Sequence, residues 1–203
     1  MMKNLIVKIL SVILAIAFLF SLCGCAYNVK PELVKNPKIE ESTYKLEDSM
    51  GDYTLTDING KTYQFSQILK EKDAIVLNFW FSNCEPCRME FPCLQDAAAE
   101  FSDDLTVIAI NPIDDKAKIE KFITDNKLTL PVVIGEQAWQ DAFSIKGYPT
   151  TIVIDKYGKI AFSHMGSITD DDVFEEIFEF FTDDDYNGTP VKSLEEIKRL
   201  NKD

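Results

Sequence analysis

An apolar run from Ala74 to Phe81, interrupted only by Asn78 and rich in β-branched and aromatic residues, predicts a strand buried on both faces. A helical pattern follows from Cys84 to Phe101, with Pro92 expected to kink it. Leu105 to Ile110 reads as a second buried strand, and Asp115 to Asn126 as a helix whose apolar face carries Ala117, Ile119, Phe122 and Ile123. Pro131 to Ile134 is a short extended piece, and Ala138 to Phe143 a short helix. Two pairs of alternating runs predict hairpins: Tyr53–Thr56 with Lys61–Phe65 about Asn59-Gly60, and Thr150–Ile154 with Lys159–Phe162 about Asp155 to Gly158. Ser66 to Lys70 fits a short helix. Thr169-x-x-Asp172 has the form of a capping box before the stripe Val173, Phe174, Ile177, Phe178 and Phe181, and Ser193-x-x-Glu196 has it before Leu194, Ile197 and Leu200. Strands alternating with helices, closed by a hairpin and a helix, specify an α/β fold with a mixed central sheet covered on both faces. The two buried strands should be parallel with a right-handed crossover.

Composition adds compartment and boundaries. Residues 1–24 read as a signal peptide, with Lys3 and Lys8 before an uncharged stretch from Ile9 to Leu22. That stretch falls short of the ~20 residues that span a bilayer. Leu22-Cys23-Gly24-Cys25 resembles a bacterial lipobox, which makes Cys25 the expected lipidated residue. Residues 25–50 look like a tether, 51–181 like the folded domain, and 182–203 like an acidic linker and a C-terminal helix. The domain is expected at the extracytoplasmic face of a bacterial membrane, anchored by lipid. A formal net charge of −13 repels phosphate backbones and argues against nucleic acid. Five cysteines with no second Cys-x-x-Cys pair support neither a disulfide-stapled mini-protein nor a four-cysteine zinc site, and no metal site is assigned.

The chemistry concentrates in Cys84-Glu85-Pro86-Cys87, between the first buried strand and its helix. Unsatisfied N–H groups and a partial positive charge at a helix start stabilise a thiolate, the nucleophile of disulfide exchange. Pro86 lies in the first turn, where its missing N–H costs little. Cys93 is about 240° around a regular helix from Cys87, so a buried small hydrophobe is expected there. His164, the single histidine, is expected to be a hydrogen-bonded structural residue.

Asn78-Phe79-Trp80…Cys84-Glu85-Pro86-Cys87…Glu90-Phe91-Pro92, together with Gly147-Tyr148-Pro149-Thr150-Thr151, resembles the thioredoxin superfamily. More narrowly it resembles the TlpA/ResA-like membrane-tethered thiol-disulfide oxidoreductases. The resemblance implies a thioredoxin-like fold with an added N-terminal β-hairpin and no cofactor. It implies that Cys84 and Cys87 form a reversible disulfide, with Cys84 the attacking, partly exposed thiol and Cys87 the deeper resolving one. Pro149 would hold a cis bond facing Cys84, Tyr148 and Trp80 would contact substrate, and Glu85 and Pro86 would tune the pair. Two positions depart from the pattern. Asn83 replaces a tryptophan and is expected to expose Cys84. Asn78 replaces a buried aspartate, so proton transfer to Cys87 is expected from Asp114 or Asp115; the alternative is that one of these caps the next helix. The implied partners are protein disulfides and a membrane thiol-electron donor, with the chain a monomer. Two other readings use the same fold: a copper chaperone and a peroxiredoxin-like peroxidase.

Overall fold

The computed structural model describes residues 45–202. The signal peptide, Cys25 and most of the tether lie outside the described residues. Among the described residues no helix is long and apolar enough to cross a membrane.

The elements are β1 (Thr54–Thr56), β2 (Thr62–Gln64), α1 (Phe65–Glu71), β3 (Ala74–Phe79), α2 (Glu85–Glu100), β4 (Leu105–Asn111), α3 (Lys116–Asn126), β5 (Val132–Ile134), α4 (Gln137–Ala142), β6 (Thr150–Asp155), β7 (Ile160–Met165), α5 (Asp171–Thr182) and α6 (Leu194–Leu200). Five strands form one sheet in the order β5-β4-β3-β6-β7, and β1 and β2 form a separate hairpin. β3 pairs parallel with β4 and antiparallel with β6, so the sheet is mixed.

Period-two alternation along β3 divides the core into two layers. Ala74, Val76 and Trp80 join the layer that holds α2, α3 and α5. Ile75, Leu77 and Phe79 join the layer under α1, α4 and the hairpin. Asn78 therefore faces α2. β3 ends two residues earlier than the apolar run suggests. In the register that pairs Phe79 with Thr150, Trp80 faces Pro149, which has no N–H to give. Trp80 N still donates to Ile110 O on the β4 side.

Three expectations change. Met50, assigned to the tether, is buried, and Glu47 N and Met50 N donate to Ile160 O and Gly158 O. The folded domain thus begins before residue 51. Thr169 does not cap α5: the helix starts at Asp171, and Asp170 makes no side-chain cap bond. Ile168 is buried and its N–H is taken by Glu90, which leaves Thr169 exposed ahead of the helix. The segment from residue 182 onward packs as part of the domain. Tyr186 and Val191 are buried, Tyr186 Oη donates to Asp155 Oδ2 at 3.0 Å, and Val191 N donates to Ala161 O. Ser193 caps α6 as its pattern predicts, accepting from Glu196 N.

Candidate active site

The site is built where β3 hands the chain to α2. Cys84 is the N-cap of α2, with extended backbone, and its Sγ accepts from Cys87 N at 3.1 Å. Pro86 lies within the first turn. Three residues of separation at a helix start bring the two Cα atoms to 5.3 Å, and the sulfurs are joined as a disulfide. Cys84 is 4% exposed and Cys87 0%. The expected exposure of Cys84 is therefore not found in the disulfide form. Asn83, Glu85 and Pro86 are exposed around it.

The Tyr148–Pro149 peptide bond is cis. Tyr148 is half-buried, its ring edge-on to Phe81 at 5.3 Å and its hydroxyl hydrogen-bonded to Gln140. Burial pushes its phenol upward. Among the described residues no group pairs with the backbone N–H or C=O of Tyr148. Trp80, expected to touch substrate, is instead 0% exposed and packed against Phe91 and Phe122. It follows β3 directly and continues the face that Ala74, Val76 and Asn78 turn to α2, so alternation rather than chemistry sets its place. Cys93 lies in the same core layer, outside the disulfide. His164 sits on β7, stacked on Phe162. Burial lowers its pKa, and the nearby Glu195 acts the other way.

Two carboxyls expected to serve Cys87 have other attachments. Burial alone would raise Asp114, but Lys118, Ser82 N–H and Asn111 outweigh it and hold the carboxyl at about 2. Asp114 Oδ2 accepts from Ser82 N at 2.6 Å and Asn111 Nδ2 at 3.0 Å. It straps the loop before Cys84 to the β4–α3 loop. A carboxylate held so low takes up no proton near neutral pH. Asp115 is the N-cap of α3 and accepts from Lys118 N.

A third carboxyl is Glu90, quoted above only as part of a motif. It lies three residues past Cys87, one turn along the same face of α2, and is 0% exposed. Its Oε1 accepts from Asn78 Nδ2 at 2.9 Å and its Oε2 from Ile168 N at 3.1 Å. Asn78 Nδ2 also reaches Thr151 Oγ1 at 3.2 Å. Among the described residues no cation joins the cluster, and burial outweighs the two hydrogen bonds and lifts the carboxyl to about 7. One signal for it was in the sequence: an acid on the apolar face of α2, beside Cys87, opposite a strand position whose side chain faces that helix.

A mixed sheet with a Cys-x-x-Cys disulfide capping a helix opposite a cis-proline loop defines a thioredoxin-like protein. The AhpC/TSA family model matches residues 46–163, and the chain belongs to that family. It is 30% identical over 126 residues to a thiol-disulfide oxidoreductase ResA from Halalkalibacterium halodurans, covering 61% of this chain and 70% of that one. The thioredoxin-like protein YneN from Bacillus subtilis is 29% identical over 121 residues, covering 58% and 70%. Among solved structures, StoA from Bacillus subtilis superposes with a TM-score of 0.53 at 25% identity, covering 63% of this chain and 93% of that one. The pneumococcal exposed lipoprotein thioredoxin Etrx1 from Streptococcus pneumoniae gives 0.56 at 25% identity, covering 64% and 98%.

Proposed function

We propose that this chain is a thiol-disulfide oxidoreductase that reduces protein disulfides through Cys84 and Cys87. The observation that carries the reading is the Cys84–Cys87 disulfide at the N-terminus of α2. Helix N–H groups stabilise negative charge on Cys84 sulfur, so the reduced form presents a thiolate there. That thiolate attacks one sulfur of a client disulfide and expels the other as a client thiolate. Cys87 then attacks Cys84 sulfur in the mixed disulfide and releases the second client thiol. Two electrons pass to the client, and the pair ends as the disulfide of this structure. Cys87 must lose a proton in the second step. Glu90, one turn away and titrating near neutrality, accepts it and later passes it out. The unpaired backbone of Tyr148 gives an extended client segment a place to hydrogen-bond.

The same reading places the domain on the extracytoplasmic face of a bacterial membrane, as a monomer held by lipid on Cys25 and re-reduced by a membrane thiol donor. Support comes from the lipobox-like Leu22–Cys25 stretch and from the likeness to a solved lipoprotein thioredoxin. Mass spectrometry of membrane-extracted protein should find a lipid-modified peptide beginning at Cys25; an intact Met1 terminus rejects the anchor.

The chemistry is tested by substitution. Cys87→Ala should accumulate a mixed disulfide between Cys84 and insulin, and Cys84→Ala should abolish insulin reduction without trapping anything. Turnover surviving in Cys84→Ala would overturn the assignment.

A further inference from the structure

β3 carries one polar residue, Asn78, which is 0% exposed. Its amide is committed at one end only. Asn78 Nδ2 donates to Glu90 Oε1 at 2.9 Å and to Thr151 Oγ1 at 3.2 Å. Asn78 Oδ1, equally buried, has no partner among the described residues. Native proteins seldom leave a buried polar atom so, and the free end points to a second arrangement of the same side chain.

Glu90 shows what that arrangement serves. Its Oε2 accepts from Ile168 N at 3.1 Å. A backbone N–H only donates, so Oε2 stays an acceptor. A proton taken up by Glu90 therefore goes on Oε1, the oxygen that faces Asn78. There it meets Nδ2, which has no lone pair to offer. Turned end for end, the amide presents Oδ1 instead. Oδ1 then accepts from the Glu90 hydroxyl and from Thr151 Oγ1, since a threonine hydroxyl donates as well as accepts. The turn breaks no bond at the far end, because none is made there. Each arrangement leaves one end of the amide unpaired, and the proton on Glu90 decides between them.

We propose that Asn78 is a positioning residue for the resolving step: its amide holds the Glu90 carboxyl beside Cys87 in both protonation states, donating to the carboxylate and, turned over, accepting from the carboxylic acid. Thr151, opposite Asn78 in the β3–β6 register, reverses its hydroxyl with it. The proton passes from Cys87 to Glu90 Oε1 as the bond between Cys87 and Cys84 forms, and the electron pairs stay with the sulfurs, as in the redox reading on which this rests. A leucine at 78 would leave the carboxylic acid without an acceptor, and an aspartate would set a second negative charge against the carboxylate. Three elements pack around the cluster. α2 brings the Cys87 sulfur, β7 brings His164 opposite Thr151, and the buried face of α5 brings Val173, Phe174, Ile177, Phe178 and Phe181, all apolar. Among the described residues no charged side chain acts on Glu90, whose proton affinity is set by burial, Asn78 and Ile168.

Two measurements on the full-length protein test this. In the oxidised wild type, the side-chain amide of Asn78 is followed by NMR through the Glu90 titration. Above it, the Nδ2 protons should show cross-peaks to the Glu90 Hγ and Thr151 Hβ protons; below it, these should be lost. Cross-peaks that persist unchanged through the titration overturn the proposal, with no variant needed. In stopped-flow resolution of a Cys84 mixed disulfide formed at low pH, Asn78→Leu should slow the step about tenfold, part of what a general base supplies. It should add nothing in a Glu90→Gln background, because Asn78 acts through Glu90. Equal slowing in both backgrounds reports a packing defect and overturns the proposal, as does a wild-type rate in Asn78→Leu. A wild-type rate in Glu90→Gln removes the proton-accepting role of Glu90 and this inference with it, while the mixed disulfide on Cys84 upholds the redox reading separately.

Discussion

Two buried carboxyls flank the disulfide and behave in opposite ways. Asp114, in the β4–α3 loop, accepts from a lysine, a backbone N–H and an amide, and stays ionised to about 2. Glu90, on α2, accepts from one amide and one backbone N–H, with no cation among the described residues, and rises to about 7. Both are largely out of solvent. What separates them is the charge and number of their donors. A carboxylate with a cation and several N–H groups is a fastening, and one with two neutral donors is a proton store.

The largest break in this comparison should come from Glu90→Gln. If Glu90 moves the Cys87 proton, its amide should slow resolution of the mixed disulfide by about 10², in the range usual for lost general acid–base catalysis. It should also flatten the pH dependence between the ordinary glutamate value and about 7. Stopped-flow fluorescence of a preformed mixed disulfide reads both. An unchanged rate and pH profile would return Glu90 to a packing role.

Stability sharpens the contrast next. Glu90 binds its proton more tightly folded than unfolded, so its contribution is fully present below pH 4.5 and is lost as pH rises through about 7. The loss is bounded at roughly 3 kcal/mol, since one pKa unit corresponds to about 1.4 kcal/mol. Asp114 has the opposite sign: its contribution is present above pH 3.8 and lost as pH falls through about 2. Denaturant titrations of the oxidised protein should show Glu90→Gln abolishing the first slope and Asp114→Asn the second. Asp114→Asn should also cost about 1–3 kcal/mol at pH 7, because donors fixed on the carboxylate lose part of their partner. A large redox defect in Asp114→Asn with stability intact would invert the assignment.

Asp115→Ala should cost less, about 1 kcal/mol, the usual penalty for a lost N-cap, with insulin reduction unaltered. Cys93→Ala should have the smallest effect, leaving exchange unaltered because its side chain belongs to the core layer.

The fold and the thiol pair were legible in the chain because they follow from local rules. Continuous apolar runs mark buried strands, period-3.6 stripes mark helices, and Cys-x-x-Cys after a strand marks a helix start. What failed to show depended on partners distant in sequence. Glu90 is defined by Asn78 and Ile168, residues on β3 and before α5. Trp80, expected to contact substrate, is instead buried because the alternation of β3 carries on past its end. Asp114 fits the spacing expected of a proton donor, yet Lys118, one turn into α3, ties its charge down. The acidic stretch after Thr182 reads as a linker by composition, and the Tyr186 hydroxyl on Asp155, with Val191 N on Ala161 O, makes it part of the domain.

That clasp has a mechanical consequence. The lead-in at residues 47–50 and the closing segment at Tyr186 both fasten to the β6–β7 turn and its flanks, at Asp155, Gly158 and Ile160. Met165, at the other end of β7, lies beside the cis-proline loop, roughly 20 Å away at strand spacing. A pull on residues 47–50 would therefore load the hydrogen bonds at Gly158 and Ile160 first, at the pole of the sheet away from the sulfur pair.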